Sequence, residues 1–236
     1  MNILVINGSG SIGSAIVKEL KDDGCNVIFT SNHHESNNAD GIIHWTYEGA
    51  QSVEKLFQTI KKDYYNLGSV VNCLGSIFLK PAHLTSEENF DHTLNINLRS
   101  SFFILQQSIP LMRKNGGNIL FFSSGAAQIG LVNHEAIAAA KSGLEGLVRS
   151  AAATYSKYNI RVNALALGLV DSNLSAHIMS NPNSLEMSKK MHSLGDVGKP
   201  KDISKFALPL LNDNSSWITG SVINIDGGLS TTKIAS

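Results

Sequence analysis

The sequence predicts a single α/β domain in which a mostly parallel, seven-stranded sheet carries helices on both faces. Two observations support this doubly wound arrangement. Short runs of apolar and β-branched residues alternate along the chain with longer stretches of helical periodicity. The runs are also continuous in their apolar character, which is typical of strands buried on both faces of a parallel sheet. The 236 residues suit one such domain, and no repeat or linker divides them.

Seven apolar runs are predicted as strands. They lie at residues 3–6, 27–30, 42–45, 70–71, 119–122, 160–165 and 222–225. Helical spacing follows the first and third runs, at 12–20 and 53–60. Most of the runs end in glycine or polar residues. Because ligands of such sheets bind outside the carboxyl ends of the strands, these endings are expected to converge on one crevice.

Composition limits the classes of partner. Hydrophobic residues make up 42% and charged residues 16%, which suits a packed core. Basic and acidic residues number 19 each, so nothing in the charge points to nucleic acid or an acidic membrane surface. Without a signal-peptide pattern or a membrane-length apolar run, a cytoplasmic protein is the default expectation. Cys25 and Cys73 are expected to be buried, and no metal site is predicted.

A glycine-rich turn separates the first predicted strand from the first predicted helix. The six residues of its G-x-G-x-x-G pattern are Gly8, Ser9, Gly10, Ser11, Ile12 and Gly13. Such glycines permit a tight turn and a close approach of the backbone to a pyrophosphate, while the helix N-terminus offers N–H groups to the phosphates. The pattern therefore predicts dinucleotide binding and a Rossmann domain over residues 1–236.

The end of the second strand bears on which dinucleotide is bound. NAD-binding domains usually carry an acidic residue there, which holds the ribose hydroxyls. This chain has Ser31, Asn32 and His33 instead, and their side chains suit hydrogen bonds to a 2′-phosphate. NADP is therefore favoured. NAD stays open as the alternative, because no Arg or Lys stands there and Glu35 follows closely.

Several further segments, taken in order, resemble the short-chain dehydrogenase/reductase family. They are residues 72–75 (Asn-Cys-Leu-Gly), 95–98 (Asn-Ile-Asn-Leu), 123–124 (Ser-Ser), 160–164 (Ile-Arg-Val-Asn-Ala), 218–220 (Ile-Thr-Gly) and 225–228 (Ile-Asp-Gly-Gly). Together with the glycine turn they extend the resemblance over nearly the whole chain, to about residue 229.

The resemblance implies an NAD(P)-dependent oxidoreductase that moves a hydride between nicotinamide and a carbonyl or alcohol carbon of a small molecule. Ser124 is then expected to hydrogen-bond the substrate oxygen, Lys141 to hold the nicotinamide ribose, and Asn97 to hold a water in a proton path. Outside the glycine turn, the expected cofactor-binding residues are Ser31, Asn32, Asn72, Leu74, Gly75, Lys141, Gly168 and Val170. The resemblance also implies a homo-oligomer, dimer or tetramer, and a lid-like segment at residues 171–200.

The chain departs from the family where that family keeps its proton-donating tyrosine. The family pattern is Tyr-x-x-x-Lys, and the matching segment ends with Lys141 but begins with Ile137. Positions four apart share one helix face, so the spacing survives while the phenol is lost. His134 is a candidate substitute, but an ordinary loop histidine is the favoured interpretation of it. The smaller departures are Asn7 for Thr, Ser11 where glycine is usual, Thr46 for Asp, and Leu167 for Pro.

Three functions therefore stay open. The first is an oxidoreductase with an atypical proton relay, and it rests on Asn97, Ser124 and Lys141. The second is a catalytically impaired, nucleotide-binding pseudo-enzyme that acts as a sensor or scaffold, and it rests on Ile137. The third is an enzyme of another reaction type that uses the same crevice.

Overall fold

The computed structural model describes residues 2–32, 41–64 and 66–233. Within these residues the strands are β1 (Asn2–Ile6), β2 (Asn26–Ser31), β3 (Ile42–His44), β4 (Leu67–Asn72), β5 (Gly117–Ser124), β6 (Ile160–Leu167) and β7 (Val222–Ile225). All pair in parallel and form one sheet in the order β3-β2-β1-β4-β5-β6-β7. The predicted seven-stranded, doubly wound sheet is confirmed.

The α-helices of the described residues are α1 (Ser11–Asp22), α2 (Ala50–Asp63), α3 (Glu87–Leu94), α4 (Ser100–Met112), α5 (Glu135–Tyr155), α6 (Ala176–Met179), α7 (Pro182–Met191) and α8 (Pro200–Leu210). A short π-helical segment, Asn95–Arg99, joins α3 to α4. Among the described helices, none combines the length and apolarity that crossing a membrane requires.

Helices cover both faces of the sheet because its strands carry apolar side chains on both. On one face, α2, α4 and α5 contribute Phe57, Ile104 and Leu144 to one core cluster. On the other face, α1 and α8 contribute Ile16 and Ile203 to a second cluster. Every residue of β4 is buried, as expected for a central strand of a parallel sheet with helices on both faces.

The strand order reverses beside β1, because β2 and β4 pair with it on opposite sides. The loop that follows β1 and the loop that follows β4 therefore lie next to each other at the carboxyl edge of the sheet. Such a switch point is where doubly wound sheets bind their ligands.

The expectation that both cysteines are buried is wrong. Cys25 and Cys73 are only partly buried. Cys73 follows the last residue of β4 and lines a cavity at the sheet edge, which leaves it partly accessible. Tyr155, at the end of α5, and Tyr158, in the turn after it, pack against the first core cluster.

Candidate active site

The turn after β1 is shaped by close backbone contacts. Asn7 adopts a left-handed backbone conformation with φ of 57°, and its Nδ2 donates a hydrogen bond to the main-chain oxygen of Cys73 at 3.3 Å. A Cβ atom on Gly13 would lie 2.2 Å from the oxygen of Asn7, and one on Gly8 would lie 2.5 Å from Cβ of Phe29. Only glycine fits at these two positions. The turn therefore brings the start of α1 against β1 and ties it to the β4 loop.

The N-terminus of α1 opens into a cavity. Gly10 is the N-cap residue, and no side chain caps the helix. The first N–H groups of a helix have no partner within it, so the first turn presents free donors and the positive end of the helix dipole. The cavity is lined on this side by Gly10, Ser11, Ile12 and Gly13. A cradle of this kind, rich in main-chain donors, fits the phosphates of a dinucleotide.

Three cavities follow one another along the carboxyl edge of the sheet, and Gly75 lines all of them. We call them the central, turn and outer cavities. The central cavity lies beyond β5 and β6 and contains Ser124, Ile137 and Lys141. The turn cavity lies at the glycine turn. The outer cavity lies beyond β2 and β3 and contains Asn32 and Thr46. Together they form an elongated crevice, as the strand endings predict.

Two aromatic residues give the outer cavity a fixed wall. Trp45 and Tyr47 meet edge to face, with ring centroids 6.3 Å apart. Trp45 donates its indole N–H to the main-chain oxygen of Ser52 at 2.9 Å, and Tyr47 donates its hydroxyl to Oδ1 of Asn95 at 3.1 Å. No Asp, Glu, Lys or Arg is among the described residues that line this cavity. His33 and Glu35, on which the cofactor preference partly depends, lie outside the described residues.

Lys141 is buried in the wall of the central cavity. Its side chain extends from α5, and only 8% of the residue is exposed. Its Nζ atom donates a hydrogen bond to the main-chain oxygen of Phe122 on β5 at 2.7 Å. Burial lowers the pKa of this amine to about 8. Ile137 lies one helical turn earlier, is 5% exposed and lines the same cavity, so the neighbouring wall is apolar.

Ser124 ends β5 and faces the same cavity. Its Oγ accepts a hydrogen bond from the N–H of Ala126 at 3.2 Å, which caps the short turn after the strand. The hydroxyl proton stays available to another acceptor, since this contact uses only a lone pair. The preceding Ser123 donates its hydroxyl to Oε1 of Glu145 at 2.8 Å, so it is engaged with α5.

Asn97 occupies the π-helical segment between α3 and α4 and is buried. Its Nδ2 donates to Oγ of Ser76 at 2.9 Å and to the main-chain oxygen of Thr93 at 3.0 Å. Its Oδ1 accepts the N–H of Ser76 at 3.2 Å. Wide turns of this kind occur frequently at functional sites. Here Asn97 fixes the loop after β4, which forms one wall of the central cavity.

Residues 171–200 contact the first two cavities. The N–H of Asn173 donates to Oγ of Ser11 at 3.0 Å, which joins this segment to the glycine turn. Leu174 lines both the central and the turn cavities. Further along, Nε2 of the buried His192 accepts the N–H of Leu169 at 3.1 Å, and the ring's Nδ1 lies 2.6 Å from the main-chain oxygen of Ser188.

Most of the residues that the sequence singles out meet in this crevice. Those that line it are Gly10, Ser11, Ile12, Gly13, Asn32, Leu74, Gly75, Asn97, Ser124, Lys141, Gly168 and Val170. Gly8, Ser9, Ser31 and Asn72 are not among its lining residues. Asn72 instead shapes the loop, because its Oδ1 accepts the N–H of Leu74 at 3.1 Å. His134 does not line the crevice either, and its Nδ1 lies 2.7 Å from the main-chain oxygen of Val132.

Sequence reasoning missed part of the wall. Among the additional lining residues are Asn7, Trp45, Tyr47, Ser76, Ile77 and Leu174. Asn7 had a usable signal, because asparagine tolerates the left-handed conformation that a tight turn requires. Trp45 and Tyr47 follow β3 at the carboxyl edge of the sheet, and this position was the only sequence signal that they line the crevice. Nothing in the sequence marked Leu174, whose place depends on how residues 171–200 fold back.

The parallel sheet and the crevice at its carboxyl edge define a Rossmann-type α/β protein. A family model described as enoyl-(acyl carrier protein) reductase matches residues 6–230. The chain belongs to the short-chain dehydrogenase/reductase family. This confirms the family that the sequence motifs indicated.

Curated relatives and a solved structure agree with this assignment. A chloroplastic tropinone reductase homologue of Arabidopsis thaliana is 31% identical over 98% of this chain and 76% of its own length. A hydroxynaphthalene reductase-like protein of Metarhizium robertsii is 30% identical over 96% of this chain and 94% of its own. The ligand-free structure of Thermoplasma acidophilum aldohexose dehydrogenase has a TM-score of 0.90 at 25% identity, covering 100% of this chain and 96% of the other.

Proposed function

We propose that this protein is an NAD(P)-dependent oxidoreductase that interconverts a carbonyl and an alcohol, with Lys141 as the proton-donating group. The observation that carries the proposal is the buried amine of Lys141 in the same cavity as Ser124. Membership of an oxidoreductase family supports the reaction class. Ile137 occupies the position at which the family pattern has its tyrosine, so the proton must come from another group.

Different residues of the crevice would hold different parts of the dinucleotide. The glycine turn would hold the pyrophosphate, and the outer cavity would hold the adenosine between Asn32 and the aromatic wall. Gly168, Val170 and Lys141 would hold the nicotinamide end in the central cavity. When bound there, the dinucleotide supplies the hydride or accepts it. The protein's part is to orient the substrate carbon and to stabilise and protonate its oxygen.

The hydroxyl of Ser124 would donate to the substrate oxygen and stabilise the negative charge that develops on it. The proton that completes the alcohol needs an ionisable donor. Among the described residues that line the central cavity, the groups that can ionise are Lys141 and Cys73. Although the residue as a whole is only partly buried, desolvation of the Cys73 thiol raises its pKa above the ordinary value, so the thiol keeps its proton near neutral pH. The pKa of Lys141, at about 8, suits a general acid near neutral pH.

NADP is the proposed cofactor, with NAD as the alternative. Asn32 lines the outer cavity, and no described carboxylate lines it to repel a 2′-phosphate. A carboxylate at such a strand end would instead favour the free ribose hydroxyls of NAD.

Assembly and closure form a second part of the proposal. Residues 171–200 would act as a cover that moves when substrate enters.

A homo-oligomer, dimer or tetramer, is supported by large apolar side chains that stay exposed on the described surface, among them Phe102, Phe206 and Trp217. Light scattering that returned the mass of one chain would contradict the oligomer.

A pseudo-enzyme that binds the nucleotide without turnover is the second candidate, and Ile137 is the observation that favours it. One experiment separates the two. NADPH and NADH are titrated by fluorescence, and carbonyl compounds are then screened for oxidation of whichever binds. Turnover in the wild type that falls in Lys141→Ala supports the enzyme. Binding with turnover only in Ile137→Tyr supports the pseudo-enzyme, and failure to bind either dinucleotide would refute both.

A further inference from the structure

The wall of the central cavity is predominantly apolar around Ser124. The side chains that form this part are Ile77, Ile137, Leu169, Val170 and Leu174. Among the described residues that line the cavity there is no Asp, Glu, His or Arg, and Lys141 is the one strong cation. A ligand that carried a carboxylate or phosphate would therefore meet no dedicated anion-binding side chain apart from the amine used in the reaction.

Most polar side chains in the same wall are already occupied by the protein itself. Both ends of the Asn97 amide are bonded to the loop at Ser76 and to α3. Ser123 donates its proton to Glu145, and Ser175 donates its proton to the main-chain oxygen of Val170. The hydroxyl of Ser172 lies 3.1 Å from that of Ser175, and the two share a hydrogen bond. The hydroxyls of Ser76 and Ser124 and the amine of Lys141 are then the side-chain donors of the described wall that keep protons for a ligand. A molecule with several hydroxyl groups would find too few partners for them.

Leu174 covers the opening of this cavity. Leu174 lines the central and turn cavities and yet is 47% exposed, so its side chain lies between the cavity interior and the solvent. Its Cδ2 lies 4.0 Å from the place where a Cβ atom on Gly75 would be. On the same segment, α7 leaves Met187 and Met191 exposed four residues apart, on one face of the helix. Flexible methionine side chains suit contact with apolar molecules of varied shape.

We infer that the substrate is an apolar carbonyl compound, a ketone or aldehyde on a hydrocarbon body whose one polar group is the reacting oxygen. This inference rests on the proposed function. The reacting oxygen receives the donors of Ser124 and Lys141, and the hydrocarbon body contacts Ile77, Ile137 and Leu174. With Ser124 and Lys141 engaged by the reacting oxygen, the described wall leaves only the Ser76 hydroxyl as a free side-chain donor. Further hydroxyls would therefore be buried without a partner, and a carboxylate would lose its hydration with no matched cation.

A matched series of cyclohexanones tests the inference. The compounds are 4-methylcyclohexanone, cyclohexanone, 4-hydroxycyclohexanone and 4-oxocyclohexanecarboxylate, each assayed for oxidation of the bound reduced dinucleotide. We expect kcat/KM to decrease in that order, with the hydroxyl compound about a hundredfold below the methyl compound, the discrimination typical of an apolar pocket. Equal or higher kcat/KM for the hydroxyl or carboxylate compound would overturn the inference.

Leu174→Asn tests the wall directly, with Leu194→Asn as the matched control. Both leucines lie in residues 171–200, but Leu194 is 82% exposed and lines none of the three cavities. We expect the first variant to narrow the methyl-over-hydroxyl preference about tenfold, as the loss of apolar contact in a pocket predicts, and the second to leave it unchanged. An unchanged preference in Leu174→Asn would contradict the assigned wall.

Equilibrium binding of the same four compounds to the protein loaded with reduced dinucleotide distinguishes failure of the proposed oxidoreductase function from failure of the apolar substrate site. If no compound is turned over but the methyl compound still binds more tightly than the hydroxyl compound, the proposed function fails and the apolar site stands. If turnover occurs but the polar compounds bind as well or better, the apolar site fails and the oxidoreductase stands. Absence of binding by all four compounds overturns the inference.

Discussion

The amine of Lys141 donates a hydrogen bond to the main-chain oxygen of Phe122, 2.7 Å away, across the contact between α5 and β5. This bond holds the side chain inside the central cavity, at the base of the loop that begins with Ser124. An ordinary surface lysine would extend into water, whereas this one is buried with an apolar neighbour, Ile137. The bond and the burial together keep this amine in a cavity whose described lining residues include no tyrosine.

The glycine turn gives a steric prediction. In Gly13→Ala the added Cβ would fall 2.2 Å from the main-chain oxygen of Asn7, so the turn must open. Overpacking of this kind costs about 1–3 kcal/mol. If all of that cost falls on the dinucleotide-bound form, affinity drops about ten- to a hundredfold, as fluorescence titration with NADPH and NADH will measure.

Gly146→Ala is the control for that substitution. A Cβ on Gly146 meets nothing within 4 Å, and the residue lies inside α5. Alanine there should leave affinity unchanged and stabilise the fold by about 1 kcal/mol through helix propensity. Unchanged dinucleotide affinity in Gly13→Ala, with the fold verified by circular dichroism, would refute the assignment of the turn.

The lowered pKa of Lys141 makes stability depend on pH. The folded protein releases this proton near pH 8, whereas the unfolded chain keeps it up to the ordinary value of 10.5. The unfolded state therefore binds more protons between these values, so the free energy of unfolding should rise with pH across that window. Relative to Lys141→Met, the wild type should gain up to about 3 kcal/mol from pH 8 to pH 10.5.

Urea denaturation of both proteins at a series of pH values from 7 to 10.5 measures this difference. Below pH 8 the difference should be constant, because both states then hold the proton. A difference that stayed flat throughout, or that fell as the pH rose, would show that Lys141 is not a desolvated amine in the folded protein.

The contact between Asn173 and Ser11 predicts how residues 171–200 are held. Ser11→Ala removes the hydrogen-bond acceptor for the Asn173 N–H, and a single such bond contributes about 0.5–1.5 kcal/mol. Amide exchange of residues 171–180 should accelerate by up to about tenfold, as hydrogen exchange will measure. Ser14→Ala is the control, because that hydroxyl donates only to the main chain of its own helix, at Ser11. Equal exchange in both variants would mean that Ser11 does not hold the segment.

Asn32 gives a prediction on cofactor choice. In Asn32→Asp a carboxylate would line the outer cavity, where it can accept the ribose hydroxyls of NAD and repel a 2′-phosphate. The ratio of the NADPH and NADH dissociation constants should shift toward NADH by about tenfold or more, which corresponds to about 1.4 kcal/mol. Asn32→Ala serves as the control for the loss of the amide alone. A ratio unmoved by the aspartate would place the 2′-position away from Asn32.

The fold was predictable because the central strands are buried on both faces and each main helix has one apolar face, so the local sequence patterns were enough to predict the sheet. The glycine turn was predictable from its own spacing between a strand and a helix, and the pairing of Ser124 with Lys141 was predicted from the family resemblance. Leu174 and the aromatic wall of Trp45 and Tyr47 were not, since their positions depend on how distant segments fold together. His134 agrees with the prediction of an ordinary loop histidine, because its side chain lies against the main chain of its own loop.

The pH dependence of kcat for ketone reduction, measured in the wild type and in Ile137→Tyr, tests the central claim most directly. With Lys141 as the donor, the wild type should reduce 4-methylcyclohexanone at neutral pH, and its kcat should fall as the pH rises past about 8, the pKa of the amine. Because Lys141 already supplies a general acid in this account, the tyrosine of Ile137→Tyr should raise kcat by less than the about 10²–10⁴ that such a group contributes where none is present. A wild type without turnover beside an active Ile137→Tyr, or a wild-type kcat that does not change through pH 8, would contradict the claim.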